Sequence, residues 1–270
     1  MKNNTLFIFL KENQIQLQYQ LYNINFKSKI LSKNIEHILI FIKILNYLKM
    51  PFNEIIINHK KLIDYFKDYD MSIILNENLL IPEISLNKEI QYLSFRAYTL
   101  TFLKNKDRML LGKKKRGFGK EYYNGFGGKV KKEETILMAA KREIYEECHL
   151  IPNRLIYTGK LYFTFKNSEN PDIEGYVFYC TDFSGNPEET EEMKPLWFSI
   201  PEYITSNNID KLFYSIPFDK MWEDDIYWFP YMLNQNFFKG FFTLNEENKL
   251  ISFIMEIYDY PLIPECNSST

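Results

Sequence analysis

The stretch from Gly128 to Leu150, GKVKKEETILMAAKREIYEECHL, limits the fold more than any other part of the chain. Glu134 is followed by Arg142, Glu143, Glu146 and Glu147. On a helix the last three carboxylates stand at i, i+3 and i+4 and share one face within a turn. Like charges at that spacing cost about 0.2–0.5 kcal/mol per pair. A hard divalent cation held through oxygen ligands would remove the cost. A solvated charged face accounts for most acidic clusters. It leaves unexplained the Gly-rich entry at Gly125–Gly128, Arg142, and the interleaved Ala139, Ala140 and Ile144. The pattern predicts a metal helix over Thr135–Cys148. The loop before it has a backbone able to approach phosphate or metal closely.

The spacing resembles the Nudix box, G-x5-E-x7-R-E-U-x-E-E-x-G-U with U aliphatic. Gly128, Glu134, Arg142, Glu143, Ile144, Glu146, Glu147 and Leu150 all match it. His149 stands where that family has Gly. Such a Gly closes the helix in a left-handed conformation. His tolerates positive φ better than bulky side chains do.

Composition adds mainly exclusions. The 270 residues suffice for one large or two small domains. A net charge of -2 gives no general pull toward polymeric nucleic acid or an anionic membrane. Cys148, Cys180 and Cys266 form neither a zinc pattern nor a disulfide framework, which points to a reducing, cytoplasmic setting. The N-terminal apolar run is too short for a signal peptide. Ile38–Leu48, broken by Lys43 and Asn46, is too short to span a bilayer.

Residues 1–93 read as a separate small α/β unit without a chemical motif. Leu6–Leu10 and the alternating Ile15, Leu17, Tyr19 and Leu21 predict a β-hairpin. Asn34–Met50 predicts a helix ended by Pro51. Glu54–Ile57 and Met71–Leu75 read as strands, and Lys60–Asp68 as a helix. His37 and His59 read as boundary or surface residues rather than ligands. Leu79–Lys88 reads as a linker.

Residues 94–260 carry the chemistry. Tyr98–Leu103 and Arg108–Gly112 read as a hairpin, followed by the basic run Lys113–Arg116. Such runs are usually solvated, but beside this loop one of them could reach a phosphate or base. Asn124 could bond a ligand edge, and Lys129 is placed for phosphate. Leu155–Phe165 and Glu174–Cys180 read as paired strands. Phe163 and Phe165 share one face, divided between core packing and a base pocket. Leu196–Phe198 reads as a short strand, and Glu202–Tyr214 as a loop. MWEDDIYWFPYMLNQ places Trp222, Asp224, Asp225 and Trp228 at the start of an amphipathic helix. Phe238–Leu244 and Leu250–Ile257 read as a closing hairpin, and 261–270 as a frayed tail.

From Tyr98 to about Tyr258 the chain resembles one Nudix family, the oxidised purine nucleoside triphosphatases (MutT homologues). The matching runs are LLGKKKRGFG, YNGFGGKV, EMKPLWF and PFDKMWEDDIYWFP. The resemblance implies a Nudix α/β/α sandwich with a mixed sheet, preceded here by an α/β unit that it does not cover. It implies Mg²⁺, or Mn²⁺, held by the Gly127 carbonyl, Glu143, Glu146, Glu147 and Glu192, with Arg142 among the catalytic residues. Lys129 and the Phe126–Gly128 backbone would form the phosphate loop. Thr99, Lys114, Asn124 and Trp222 to Asp225 would form the nucleoside pocket, with Phe163 and Phe165 on its wall. Thr99 and Glu192 gain their roles from the resemblance alone. Glu146 and Glu147 are not separated as base and ligand.

The implied reaction is hydrolysis of 8-oxo-dGTP and 2-hydroxy-dATP to monophosphate and pyrophosphate, sanitising the nucleotide pool. The expected partner is a purine nucleoside triphosphate, with no polymeric nucleic acid and no membrane, and a monomer is favoured. Two rivals stand beside this reading. One is a Nudix enzyme acting on another nucleoside diphosphate-linked substrate, against which the base-pocket matches count. The other is a non-catalytic nucleotide-binding module, against which the complete set of box carboxylates counts.

Overall fold

The computed structural model describes residues 5–11, 14–21, 26–50, 54–57, 62, 72–75, 95–166 and 171–259. The period of two along its strands sorts their side chains onto two faces of a single sheet. Strands β1 (Thr5–Lys11), β2 (Gln14–Leu21) and β3 (Phe26–Ser32) form an antiparallel meander. Helix α1 (Ile35–Tyr47) follows, its N-terminus capped by Asn34, which accepts from the Glu36 N–H. β4 (Glu54–Ile57) lies parallel to β1, and β5 (Ser72–Leu75) parallel to β4. The expected helix at Lys60–Asp68 (apart from Leu62), His59, the linker and the C-terminal tail fall outside the described residues.

The hairpin of β6 (Arg96–Asn105) and β7 (Arg108–Lys114) carries the short β8 (Tyr123–Asn124) on β7. Then come α2 (Ile136–Cys148), the antiparallel β9 (Ile151–Phe165) and β10 (Ile173–Ser184), and β11 (Met193–Ser199) paired to β7. Helices α3 (Ile209–Ser215) and α4 (Asp225–Leu233) precede the closing hairpin of β12 (Phe237–Leu244) and β13 (Leu250–Tyr258). Strand order is β11-β7-β6-β10-β9-β12-β13-β3-β2-β1-β4-β5. β10 runs parallel to β6, β12 to β9, and β13 to β3, so the sheet is mixed.

Neighbouring residues on a strand feed different cores. Leu103, Leu110 and Cys180 point toward α2 and pack with Phe126, Ile144 and Met193. Phe102, Met109, Leu111 and Tyr179 point to the other face, which α1, α3 and α4 cover. That second core runs unbroken from Leu6 and Ile30, through Phe41 of α1, to Trp228 of α4 and Phe253 of β13. The N-terminal unit, distinct in sequence, thus shares both a sheet and a core with the rest. Truncating a ring such as Phe41 in this core would cost about 3–5 kcal/mol.

Four details depart from the sequence reading. β3 went unpredicted because its buried face carries Ser28 and Ser32 around Ile30, an alternation that looks polar. Glu202–Tyr214 is not all loop: Ile209, Leu212 and Phe213 recur at helical spacing and bury one face of α3. The helix after Trp222 is not amphipathic, since every residue from Asp225 to Leu233 is buried. His37 is not at the surface. It is buried, 2.8 Å from Ser32 Oγ and 3.6 Å from Asp259. Among the described residues no helix is long and apolar enough to cross a membrane.

Candidate active site

Helix α2 starts where Thr135 Oγ1 accepts from the Met138 N–H. It ends at His149, which takes a left-handed φ of 57° and holds Glu188 at 3.0 Å. The chain therefore turns here as it would with Gly. Arg142 organises the acidic face. It donates to both oxygens of Glu134 (2.5 and 2.9 Å), to Glu143 (2.6 Å), to Glu146 (2.9 Å) and to the Lys129 carbonyl. Hydrogen bonds from Arg142 and from the Lys131 N–H hold Glu134 down to about 2. Arg142 thus positions carboxylates, and its donors are directed at them.

The three helix carboxylates differ in setting. Glu146 is half exposed and paired with Arg142 and Lys131. Glu147 is 3% exposed and accepts from the Gly127 N–H at 2.8 Å. Burial pushes its pKa up to about 8, against the pull of that N–H and of Lys114, while Glu143 and Glu192 add to the rise. Glu143 lies against Gly128, where a Cβ would meet its carboxylate at 2.6 Å. Gly127 is held more tightly: a Cβ there would sit 1.9 Å from the Thr99 carbonyl. From β11's entry, Glu192 reaches Lys114 at 3.3 Å and Arg116 at 3.7 Å.

Among the described residues no three acidic, His or Cys side chains stand together as a finished cation cage. The donor set still suits a hard divalent cation. It consists of carboxylate oxygens, one of them buried near two others with its pKa raised by burial, beside a glycine that leaves room for a carboxylate. A cation there would relieve the burial cost that raises Glu147.

A cavity of about 280 Å³ begins at Gly127 and Gly128 and runs between the sheet and the N-terminus of α4. Thr99, Lys114 and Asn124 line one side, with Phe163 and Phe165 on the sheet. Thr99 Oγ1 is buried with no hydrogen-bond partner. Asn124 Oδ1 accepts from the Gly125 N–H. Phe163 also stacks on Phe242 at 5.4 Å, so it belongs to both core and wall. Trp222 lines the cavity as well, stacked on the exposed Phe118 at 4.8 Å. Gly119, at φ 79°, makes that approach possible, since a Cβ would sit 2.9 Å from the indole.

Asp224 and Asp225 also line the cavity and are 6% and 2% exposed. Asp224 accepts from Trp228 Nε1 at 2.9 Å, and Asp225 from the Trp222 N–H at 3.0 Å. Burial pushes Asp224 up to about 6. Burial, and then the neighbouring Asp224, raise Asp225 well above the carboxylate range. Asp225 reaches back as a cap would, but solvated caps are not buried to this depth.

Two expected phosphate-loop members stand apart from this cavity. The Phe126 ring is fully buried under α2, and its N–H and C=O are both bonded to Thr101. Lys129 is exposed, and its carbonyl is bonded to Arg142. Trp228 donates to Asp224, a role that its place at the helix start does not by itself reveal. Its i+4 spacing from Asp224 was the available signal.

Comparison with known proteins bears on this geometry. The chain matches the NUDIX domain family over residues 94–215. It is 38% identical over 165 residues to a mouse (Mus musculus) protein named oxidized purine nucleoside triphosphate hydrolase, covering 61% of this chain and 96% of that one. The zebrafish (Danio rerio) protein of the same name is 40% identical over 153 residues, 57% of this chain and 89% of its own. Among solved structures it is similar to the MutT protein of Bacillus halodurans, at 20% identity and a TM-score of 0.47, over 60% of this chain and 97% of that one.

Proposed function

The chain belongs to the Nudix family, and from that membership we propose that it hydrolyses oxidised purine nucleoside triphosphates to monophosphate and pyrophosphate. One observation carries the substrate choice: two buried, adjacent carboxylates, Asp224 and Asp225, line an aromatic-walled cavity that also takes in Gly127 and Gly128, the loop in front of the carboxylate helix. Both relatives bear the name of that activity.

The site favours one proton shared between the two acids. A protonated Asp225 donates a hydrogen bond, and an ionised Asp224, already bonded to Trp228, accepts one. Exchanging the proton reverses the pattern. The pocket then suits 8-oxoguanine and 2-hydroxyadenine, whose donor and acceptor edges differ. A base that leaves a buried polar group unpaired loses about 1–3 kcal/mol. Thr99 Oγ1, Lys114 and Asn124 would bond the rest of the nucleoside, and Trp222 would stack on the base.

A divalent cation, Mg²⁺ or Mn²⁺, held by Glu143, Glu146, Glu147, Glu192 and the Gly127 carbonyl, would neutralise the phosphates and make an attacking water more nucleophilic. Glu147 is the better placed base, because it lies against Gly127 at the cavity edge while Glu146 is engaged by Arg142 and Lys131. Arg142 keeps Glu143 and Glu146 on one face. The buried free thiols of Cys148 and Cys180 suit a reducing compartment such as the cytoplasm. The test is a hydrolysis panel of 8-oxo-dGTP, 2-hydroxy-dATP, dGTP and dATP with Mg²⁺, resolving the products. Preference for the oxidised purines with release of pyrophosphate is expected. Equal kcat/KM for all four would remove the assignment.

A further inference from the structure

The mouse relative accounts for 61% of this chain with nearly its whole length, leaving roughly two fifths without a counterpart in it. Yet α1, from the N-terminal unit, packs directly on α4, whose first turn bears the buried acids of the cavity. The Tyr231 hydroxyl donates to the His37 carbonyl at 2.9 Å, and the two rings meet edge-on at 5.5 Å. Phe41 packs against Tyr227 at 6.0 Å and against Phe253 at 6.0 Å. The Tyr227 hydroxyl donates to Met50 Sδ at 3.8 Å. One turn beyond the helix-start acids, Tyr227 and Tyr231 form a stripe at i and i+4 that α1 holds. The adjacent stripe, Asp224 and Trp228, also at i and i+4, serves the cavity.

The contact continues on both sides. Glu36 accepts from the Ser206 N–H, and Tyr47 stacks on Phe213 of α3 at 4.3 Å. Beneath them β3 bonds β13 in parallel register from Ser252↔Lys27 to Ile257↔Ser32. A helix buried on every side has no solvent-facing margin in which to adjust. Its axial position is fixed by what packs on it.

We infer that the N-terminal unit is a positioning element of the nucleotide site, with His37, Phe41 and Tyr231 setting the placement of Asp224 and Asp225 through α4. This inference rests on the assignment of the cavity to the base. Its observable is a change in nucleotide affinity and in base selectivity from residues that touch no substrate.

Three variants of the full chain test it: Tyr231→Phe, which removes one hydroxyl; Phe41→Leu, which keeps apolar volume; and Phe41→Ala. For each, kcat and KM are measured on 8-oxo-dGTP and 2-hydroxy-dATP well below the melting temperature. Affinity for a purine nucleoside monophosphate product is measured by tryptophan fluorescence without turnover. Hydrogen exchange is followed at the α4 amides. Tyr231→Phe should raise KM and the product Kd about five-fold, the weight of one hydrogen bond, with kcat within two-fold. The ratio of the two substrates should shift, and Phe41→Leu should restore most of what Phe41→Ala loses. If Tyr231→Phe and Phe41→Leu lower only the melting temperature, leaving KM, product affinity and substrate ratio unchanged, α1 is a passive cover and the inference fails. That holds even if Phe41→Ala does not fold. If the wild-type chain shows no preference for oxidised purines, the function assignment fails separately. The same product-affinity measurement then still decides the positioning role.

Discussion

Helix α2 carries carboxylates against the glycine loop where the cavity begins, α4 carries carboxylates that line the cavity itself, and the two helices hold them by opposite means. On α2 the acids are ordered by charge: Arg142 spans Glu134, Glu143 and Glu146, all within thirteen residues of one another in the chain. On α4 the acids are ordered by exclusion of water. Asp224 and Asp225 are buried, bonded to Trp228 and the Trp222 backbone, and no cation is paired with either among the described residues. Charge networks keep carboxylates ionised, as metal binding needs. Burial keeps them near protonation, as reading a base edge with both donors and acceptors needs.

The contrast breaks most sharply at Glu147, the one α2 acid that is buried. Glu147→Gln keeps its shape and can still accept from the Gly127 N–H. Turnover should fall by roughly a thousand-fold or more at saturating Mg²⁺, while the melting temperature holds. Near-wild-type kcat would place the chemistry elsewhere. Next come the two glycines of the loop in front of α2. Gly127→Ala meets backbone at 1.9 Å and should impair folding, seen as loss of soluble, cooperatively melting protein. Gly128→Ala meets only the side-chain carboxylate of Glu143, not backbone, and should fold, with a several-fold weaker Mg²⁺ dependence of kcat. Equal outcomes would mean that Glu143 does not need that space.

For α4, Asp224→Asn and Asp225→Asn should change the ratio of kcat/KM between 8-oxo-dGTP and 2-hydroxy-dATP by about ten-fold, one bonded group's worth. A common fall for both substrates would reduce the pair to a helix cap. The same acids set a pH dependence. Their folded pKa values are raised, so their contribution to stability is present below the unfolded value and is lost as pH rises through the folded one, about 6 for Asp224. Melting temperature should decline across that window in the wild type, and less in Asp224→Asn. The smallest effect is expected at His149→Gly. With φ at 57°, relief of strain and loss of the Glu188 contact nearly offset, so stability should change by about 1 kcal/mol at most.

What was legible in the sequence follows the same division. The period of α2, its Thr135 cap and the shared face of its acids are local, and local spacing determines them. The hairpins β1–β2, β6–β7 and β12–β13 are legible because pairs of short apolar runs flank polar turns, as at Lys11–Asn13 and Lys104–Asp107. The different fates of Glu146 and Glu147, adjacent and chemically identical, depend on which one faces the loop at Gly127. No local rule states that. β3 was missed because serines fill its buried positions, and α3 because Asn and Ser precede its three apolar residues. The full burial of α4 depends on α1, some two hundred residues earlier. The aromatic core positions of Phe126 and His37's burial likewise depend on partners distant in the chain.

The pairing of β3 with β13 has a consequence for synthesis. Asn34 and its partner Asp259 are 225 residues apart. At about 5–20 residues per second, a ribosome takes on the order of ten to forty-five seconds to make that interval. During that time β3 has a finished neighbour in β2 and an open edge where β13 will go. Open edges recruit strands from other chains. The nascent N-terminal meander therefore waits, half-closed, for the last strand of its own chain, and crowded polysomes are where this protein has most to gain from a chaperone.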